Sequence, residues 1–258
     1  MTLKASSWVM STQGFLNFPD RFATLRFIMT TICNNLEAVR IRIAAACVAA
    51  GRDPAAVRLL AVSKTFDAEA VKQALASGQH AFGENYLQEA AGKIDILAGH
   101  GIEWHCIGPI QSNKTRLAAE KFDWVHSVDR LKIAERLSAQ RPAHLPPLNI
   151  CLQVNIDGGV SKSGVVPSET AALAQAVSVL PSLRLRGIMT IPEPAEGFEA
   201  QRAVHLQARR LFEELVAQGL PLDTLSMGMS GDLEAAIAAG STMVRVGSAI
   251  FGGRAPKG

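Results

Sequence analysis

An apolar run that stops at a lysine occupies residues 59–65 and reads Leu59-Leu60-Ala61-Val62-Ser63-Lys64-Thr65. A run of Leu, Ala and Val that is closed by polar residues and followed by a helical pattern, here at residues 68–75, is typical of the strand and helix that open a βα unit. Taken alone, a lysine at a strand end usually marks only the point where the chain meets water. The role of Lys64 therefore depends on what the rest of the chain places beside it.

The alternation of strand and helix continues along the chain. Eight apolar segments are predicted to be strands, at residues 57–64, 80–85, 103–109, 124–129, 149–156, 183–191, 224–230 and 243–251. Helical patterns lie between them, for example at residues 131–140, 169–180 and 200–218. Alternating βα units require parallel strands joined by right-handed crossovers, and eight of them in about 200 residues favour a closed (β/α)8 TIM barrel of the α/β class. A doubly wound open sheet is the alternative fold.

Length and composition predict one domain. The chain has 258 residues, of which 48% are hydrophobic, and this is enough for one full core of barrel size. Residues 1–28 show no clear period and precede an internal methionine, Met29. We interpret residues 1–28 as an N-terminal extension, either disordered or the product of a mis-assigned start, and residues 29–258 as a single barrel domain.

Charge and cysteine pattern disfavour several classes of protein. The net charge of +3 is spread thinly and no basic cluster is interleaved with aromatic residues, so neither nucleic acid nor a membrane surface is an expected partner. The four cysteines lack the spacing of a zinc site and the density of a disulfide scaffold, which predicts free thiols and no metal. No apolar run approaches the ~20 residues of a membrane span. We expect a cytoplasmic monomer that binds a small molecule.

In a TIM barrel the reactive groups lie at the carboxyl ends of the strands. Lys64 is the only lysine that ends a predicted strand, and Val62 and Leu60 share its side. An amine held over such an apolar layer is nucleophilic enough to form a Schiff base with an aldehyde. His105 and His126 also lie near strand ends, where packing is the preferred interpretation and acid–base chemistry the alternative.

Two further segments predict a phosphate site. Ser230 follows the seventh predicted strand, where it either caps a helix or binds a phosphate together with free amides; Asp232 would repel that phosphate unless it points away. Arg245 lies within the eighth strand, and a buried guanidinium needs a partner, either a ligand or an acid of a neighbouring strand. Gly247 and Ser248 follow, where barrels commonly bind phosphate.

Pyridoxal 5'-phosphate (PLP) has one group for each of these features. Its aldehyde matches Lys64, its ring nitrogen matches Arg245, and its phosphate matches Ser230, Gly247 and Ser248.

Five motifs follow one another along the chain: Ala61-Val62-Ser63-Lys64-Thr65, Phe82-Gly83-Glu84-Asn85-Tyr86, Trp104-His105-Cys106-Ile107-Gly108-Pro109-Ile110-Gln111-Ser112-Asn113-Lys114, Met227-Gly228-Met229-Ser230 and Val244-Arg245-Val246-Gly247. In this set the chain resembles the pyridoxal phosphate homeostasis protein family over about residues 29–252. The resemblance implies a fold-type III barrel, related to the N-terminal domain of alanine racemase, that holds PLP as an internal aldimine on Lys64.

The same resemblance implies roles for other predicted cofactor-binding residues. Met189 is a candidate cofactor-binding residue by position alone, because it lies near the end of the sixth predicted strand. The resemblance places Asn85 near the cofactor and Ser230, Gly247 and Ser248 at its phosphate. It also implies a protein that keeps free PLP low and hands it to apo-enzymes, without robust catalysis.

Two catalytic alternatives stay open: a PLP-dependent racemase or decarboxylase, and a Schiff-base aldolase acting on a sugar phosphate. Racemisation needs a second base, and the only tyrosine, Tyr86, should point away from the inner face of the barrel as a packing residue. Arg245 disfavours protonation of the pyridine ring, because a guanidinium does not give up its proton at ordinary pH. Storage of PLP is therefore the preferred function.

Overall fold

A computed structural model describes residues 21–159 and 163–253. Its strands are all parallel and close into a barrel in the order of the chain, with the eighth strand paired to the first. This confirms the TIM barrel and excludes the open sheet. The strands are β1 (Arg58–Val62), β2 (Ala81–Glu84), β3 (Glu103–Cys106), β4 (Trp124–Val128), β5 (Leu148–Val154), β6 (Leu183–Thr190), β7 (Thr224–Ser226) and β8 (Met243–Val246).

Helices surround the barrel. They are α1 (Arg21–Ala49), α2 (Ala68–Ala76), α3 (Leu87–Ile96), α4 (Thr115–Lys121), α5 (Leu131–Gln140), α6 (Pro167–Ser178), α7 (Phe198–Ala217), α8 (Leu233–Ala238) and α9 (Ser248–Phe251). The helix α1 packs against α2, α8 and α9, so it covers the seam between β8 and β1. In the part of the chain that the structure describes, no helix is long and apolar enough to cross a membrane.

The expected extension at residues 1–28 is only partly described, because residues 1–20 lie outside the described residues. From Arg21 the chain is helical, so α1 runs across the expected boundary at Met29. A natural start at Met29 stays a prediction.

Every strand begins within one residue of its predicted start, but all of them end earlier than predicted. The largest errors are at β7 and β8, predicted to run to residues 230 and 251. At β7 the chain turns at Gly228, whose φ of 93° is not a strand conformation. After β8, the residues Ser248–Phe251 form the short helix α9. Apolar residues continue past both strands because they pack above the barrel. The pattern of apolar residues alone does not reveal where the backbone turns.

The first strand shows how the sequence builds the barrel wall. Leu60 faces the interior, where it packs with Ala81 and Met243, and Ala61 faces outward into the layer between strands and helices. Both residues are fully buried, as expected for a parallel strand covered on both faces. The alternation places Val62 and then Lys64 on the interior side, at the carboxyl end of the barrel.

Candidate functional site

A cavity of about 350 Å³ opens at the carboxyl ends of the strands. It brings together six of the seven predicted site residues, contributed by the chain segments that follow β1, β2, β7 and β8 and by β8 itself. These six are Lys64, Asn85, Ser230, Arg245, Gly247 and Ser248. Residues as far apart in sequence as Lys64 and Ser248 thus face one space, as the barrel topology predicts.

Met189 does not line this cavity. It is fully buried one layer deeper, where it packs with Trp124 and Cys151 inside the barrel. Ile191 lies two residues later on the same side of the chain and lines the cavity instead. Met189 therefore lies on the inner face of the strand, as the prediction requires, but one layer of side chains below the cavity.

Lys64 follows β1 and is half-buried at the cavity wall. The residue after it, Thr65, has a φ of 70°, in the left-handed region that β-branched residues rarely adopt. Such a conformation costs about 1–3 kcal/mol and persists only where surrounding contacts hold it. Contacts with other residues therefore hold the backbone at Thr65, and with it the neighbouring Lys64, in this conformation.

One end of the cavity presents backbone amides. Among the described residues, the N–H groups of Ser230, Gly231 and Ser248 donate to no acceptor, and all three residues line the cavity. The loop after β7, which carries Ser230 and Gly231, turns at Gly228, where a Cβ would lie only 2.4 Å from the Cβ of Ala236. Converging free N–H groups of this kind are suited to an anion such as a phosphate.

Asp232 does not oppose an anion in this cavity. Its carboxylate accepts a hydrogen bond from the Met229 N–H at 2.6 Å and contacts His205 Nε2 at 2.9 Å, so it is engaged by its own loop and by α7. Burial disfavours its ionisation, but the bonds from His205 and Met229 outweigh burial, and the pKa of Asp232 is lowered. Asp232 also occupies the N-cap position of α8, so the alternative interpretation of Ser230 as the helix cap is wrong.

Arg245 forms the floor of the cavity. Its guanidinium donates from Nη1 to Ser226 Oγ and from Nη2 to the Thr190 carbonyl, both at 2.8 Å, and the residue is almost completely buried. Burial lowers the pKa of Arg245 to about 10, although the charge of Asp232 opposes this. Within the described chain no carboxylate pairs with it, so the structural ion pair considered from sequence is wrong.

The guanidinium therefore keeps donors for a ligand. Arginine has five N–H groups, and two of those on Arg245 are used by Ser226 and Thr190. The remaining three donate to no acceptor in the described part of the chain. A charged donor at the floor of a cavity is positioned for an acceptor atom that enters from above.

Ser226 continues this contact into a buried chain of hydrogen bonds. Its Oγ lies 3.2 Å from His126 Nδ1, His126 Nε2 lies 2.9 Å from His105 Nδ1, and His105 Nε2 lies 2.5 Å from Glu103 Oε1. A guanidinium only donates and a carboxylate only accepts. Each residue of the chain therefore donates to the next one in the direction from Arg245 to Glu103. Each histidine is then neutral with its proton on Nε2.

Electrostatics agree with neutral histidines. Burial lowers the pKa of His105 despite its bond to Glu103, and burial together with His105 and Arg245 lowers the pKa of His126 well below its usual value. Both rings are fully buried below the cavity, and His105 stacks on Trp124 with ring centroids 5.2 Å apart. This confirms the packing interpretation and excludes both histidines from the cavity wall.

Tyr86 differs from its prediction. It is about half exposed, not packed, and it lines a second, wider cleft of about 670 Å³ that shares Asn85 with the Lys64 cavity. Sequence reasoning also missed a buried cluster behind Lys64 that includes Glu84 and Lys93. The available signal was Glu84 itself, an acid inside an apolar strand, because a buried carboxylate requires a partner.

Fold and cavity together define a TIM-barrel protein with an amine, an amide cradle and a guanidinium at one mouth. A model of the alanine racemase N-terminal domain family matches residues 35–255. The pyridoxal phosphate homeostasis protein of Pseudomonas aeruginosa is 62% identical over 226 residues, which cover 88% of this chain and 97% of that protein. The protein of the same name from Escherichia coli K12 is 54% identical over 229 residues, covering 88% of this chain and 98% of its own length.

A solved structure agrees with these relatives. PipY of Synechococcus elongatus, determined with PLP bound, is 38% identical and superposes with a TM-score of 0.75, covering 86% of this chain and all of that chain. The chain therefore belongs to the alanine racemase N-terminal domain family and, within it, to the pyridoxal phosphate homeostasis proteins.

Proposed function

We propose that this protein binds PLP covalently through Lys64 and serves as a store and carrier of the cofactor, without robust catalysis. The observation that supports it best is the convergence of three chemically different groups in one cavity: the Lys64 amine, the Ser230–Gly231–Ser248 amides and the Arg245 guanidinium. They match the aldehyde, the phosphate and the ring nitrogen of PLP. The names of the relatives and the PLP in PipY support the same ligand.

Each group has a distinct task in this proposal. The free N–H groups of Ser230, Gly231 and Ser248 would hold the phosphate. Gly247 lets the backbone pass close to Val62, because a Cβ at position 247 would lie 3.0 Å from the Val62 carbonyl oxygen. Arg245 would donate to the ring nitrogen and, because a guanidinium keeps its proton, would disfavour protonation of that nitrogen. Asn85 lies at the opening toward the wider cleft.

The same residues favour storage over catalysis. Bound PLP supplies an electron sink, and that sink is weak when the ring nitrogen faces a guanidinium. Racemisation also requires a base on each face of the substrate carbon. Among the described residues that line the cavity, Lys64 and Arg245 are the only ionisable ones. Tyr86 lines the adjoining cleft instead.

The proposal extends to partners and compartment. We propose a monomer that passes PLP to apo-enzymes in the cytoplasm. The four cysteines support a reducing compartment, because all of them are free thiols and three are buried. Light scattering coupled to size-exclusion chromatography tests the monomer; a dimer at micromolar concentration contradicts that part alone.

A transfer experiment tests the carrier function. The PLP-loaded protein is mixed with an apo PLP-dependent enzyme in the presence of a scavenger of free PLP, beside a matched sample of free PLP. We expect enzyme activity to appear from the loaded protein while the scavenger suppresses the control. Equal suppression of both samples contradicts direct delivery. Loss of the Cα hydrogen from an added amino acid, measured on the same preparation, would instead support the racemase or decarboxylase alternative.

A further inference from the structure

A buried ammonium lies directly behind Lys64. Lys93 of α3 is almost completely buried, and its Nζ lies 2.9 Å from the Ser63 carbonyl oxygen, 2.7 Å from Glu84 Oε1 and 2.8 Å from Glu89 Oε1. An ammonium has three N–H donors, so all three are used. This group makes no contact that the proposed PLP chemistry requires.

The three acceptors hold the backbone on both sides of Lys64. The Ser63 carbonyl, which Lys93 bonds directly, belongs to the peptide that precedes Lys64. Glu89 Oε1 also accepts the N–H of Thr65 at 2.8 Å, which belongs to the peptide that follows. Ser63 Oγ donates to Glu84 Oε1 at 2.6 Å. We call Ser63, Glu84, Glu89 and Lys93 the Lys93 clamp.

Thr65 shows why the clamp is needed. Its φ of 70° is unfavourable for a β-branched residue, and Thr65 is exposed, so core packing does not hold it in place. The bond from its N–H to Glu89 ties this peptide to α3, in addition to the turn that the Phe66 N–H closes by donating to the Ser63 carbonyl at 3.1 Å. Backbone strain that is maintained in this way is typical of functional sites.

Stability alone is a weak reason for the clamp. Glu84 is fully buried, burial raises its pKa against the opposing charge and bonds of Lys93, and its Oε2 meets no hydrogen-bond partner in the described residues. Apolar residues of similar volume often stabilise a protein as well as a buried ion pair does. The buried Glu84–Lys93 ion pair beside a strained residue therefore indicates a positional role.

We propose that Glu84, Lys93 and Glu89 are positioning residues that aim the Lys64 amine into the cavity. The inference rests on the proposed role of Lys64 as the PLP attachment point. Without the bond from Glu89, Thr65 relaxes toward negative φ and turns the adjoining peptide, so Lys64 leaves its position at the wall. The Ser230–Gly231–Ser248 cradle and Arg245 are unaffected by this change.

The test separates attachment from binding. Glu89→Ala is compared with Glu120→Ala, which removes an exposed partner of Arg116 in an i,i+4 pair on α4. The rate at which PLP becomes covalently bound is followed by its visible absorbance after rapid mixing. Affinity for pyridoxine 5'-phosphate, which has the ring and phosphate but no aldehyde, is measured separately by calorimetry.

We expect Glu89→Ala to slow attachment by at least about tenfold, equivalent to about 1.4 kcal/mol, while Glu120→Ala matches the wild type. Affinity for pyridoxine 5'-phosphate should change by less than about twofold, since its binding groups are intact. Glu89→Gln should attach PLP nearly as fast as the wild type, because its amide oxygen still accepts from Thr65. An unchanged rate in Glu89→Ala, or an equal loss of pyridoxine 5'-phosphate affinity, would overturn the proposal.

A double variant tests the route through the backbone. Glycine adopts a φ of 70° without strain, so adding Thr65→Gly to Glu89→Ala should recover part of the lost rate. No recovery would overturn a role for the Thr65 conformation. If the wild type itself attaches no PLP, the proposed function fails, and that outcome is distinct from every result that concerns the clamp alone.

Discussion

Replacement of Ser226 by alanine should destabilise the barrel by disconnecting Arg245 from the buried histidines. Ser226 Oγ accepts from Arg245 Nη1 at 2.8 Å and donates to His126 Nδ1 at 3.2 Å. Both partners are buried and would lose a bond. A hydrogen bond to a charged group contributes about 1.5–3 kcal/mol and a neutral one about 0.5–1.5 kcal/mol, so the expected loss is about 2–4 kcal/mol.

The loss is measured by urea unfolding and by calorimetric Tm. For a domain of this size about 1 kcal/mol shifts Tm by about 2–4 °C, so Ser226→Ala should lower Tm by about 5–15 °C. Ser241→Ala is the matched control, because Ser241 is equally buried but bonds only to backbone carbonyls; about 1 kcal/mol is expected there. Ser226→Thr retains the hydroxyl and should lose less than Ser226→Ala. Equal losses in Ser226→Ala and Ser241→Ala would refute the chain from Arg245 to Glu103.

Two further predictions concern pH and the amide cradle. The pKa values of His105 and His126 are lowered in the fold, so the unfolded chain takes up protons first as pH falls, and the unfolding free energy should decrease below about pH 6.5, by up to about 1.4 kcal/mol per pH unit for each histidine. His126→Gln should reduce that slope by about one proton, and a slope identical to the wild type would show that His126 titrates normally. Gly228→Ala should cost at least about 1–3 kcal/mol, because its φ of 93° is strained for alanine and its Cβ would meet Ala236, and it should weaken binding of pyridoxine 5'-phosphate. If the Gly228→Ala protein folds and binds pyridoxine 5'-phosphate with unchanged affinity, the proposed role of the backbone amides in phosphate binding is contradicted.

The barrel was predictable because its signals are local. Apolar runs alternating with helical periods locate each strand within a residue of its start, and the bounds of α5 agree fully with the prediction. Strand ends were less predictable, because apolar residues such as Met227 and Phe251 belong to the core without belonging to a strand. The alternation of side chains along a strand puts Met189 on the inner face of the barrel, but it does not show how deep the cavity reaches.

Contacts between distant residues could not be predicted from one sequence. The bond between His126 and Ser226 joins residues 100 positions apart, and neither residue indicates the other. The Lys93 clamp is similar. Glu89 and Lys93 have the i,i+4 spacing that is common for an ion pair on an exposed helix surface, and this spacing does not reveal that Lys93 is buried. The burial of Lys93 depends on how the helices pack on the barrel, which only the fold shows. The groups that line the cavity were easier to find, because barrel topology fixes where strand ends meet.

The attachment of PLP to Lys64 is tested most directly by chemical capture. The protein is mixed with PLP, reduced with borohydride, digested, and the modified peptide is identified by mass spectrometry, with Lys64→Ala and Lys114→Ala analysed in parallel. Lys114 is the matched control, because it lines the wider cleft beside the cavity. We predict stoichiometric labelling of Lys64 in the wild type and in Lys114→Ala, and no stoichiometric labelling of any lysine in Lys64→Ala. Labelling that persists at full stoichiometry in Lys64→Ala, or that maps to Lys114 in the wild type, would contradict the proposed function.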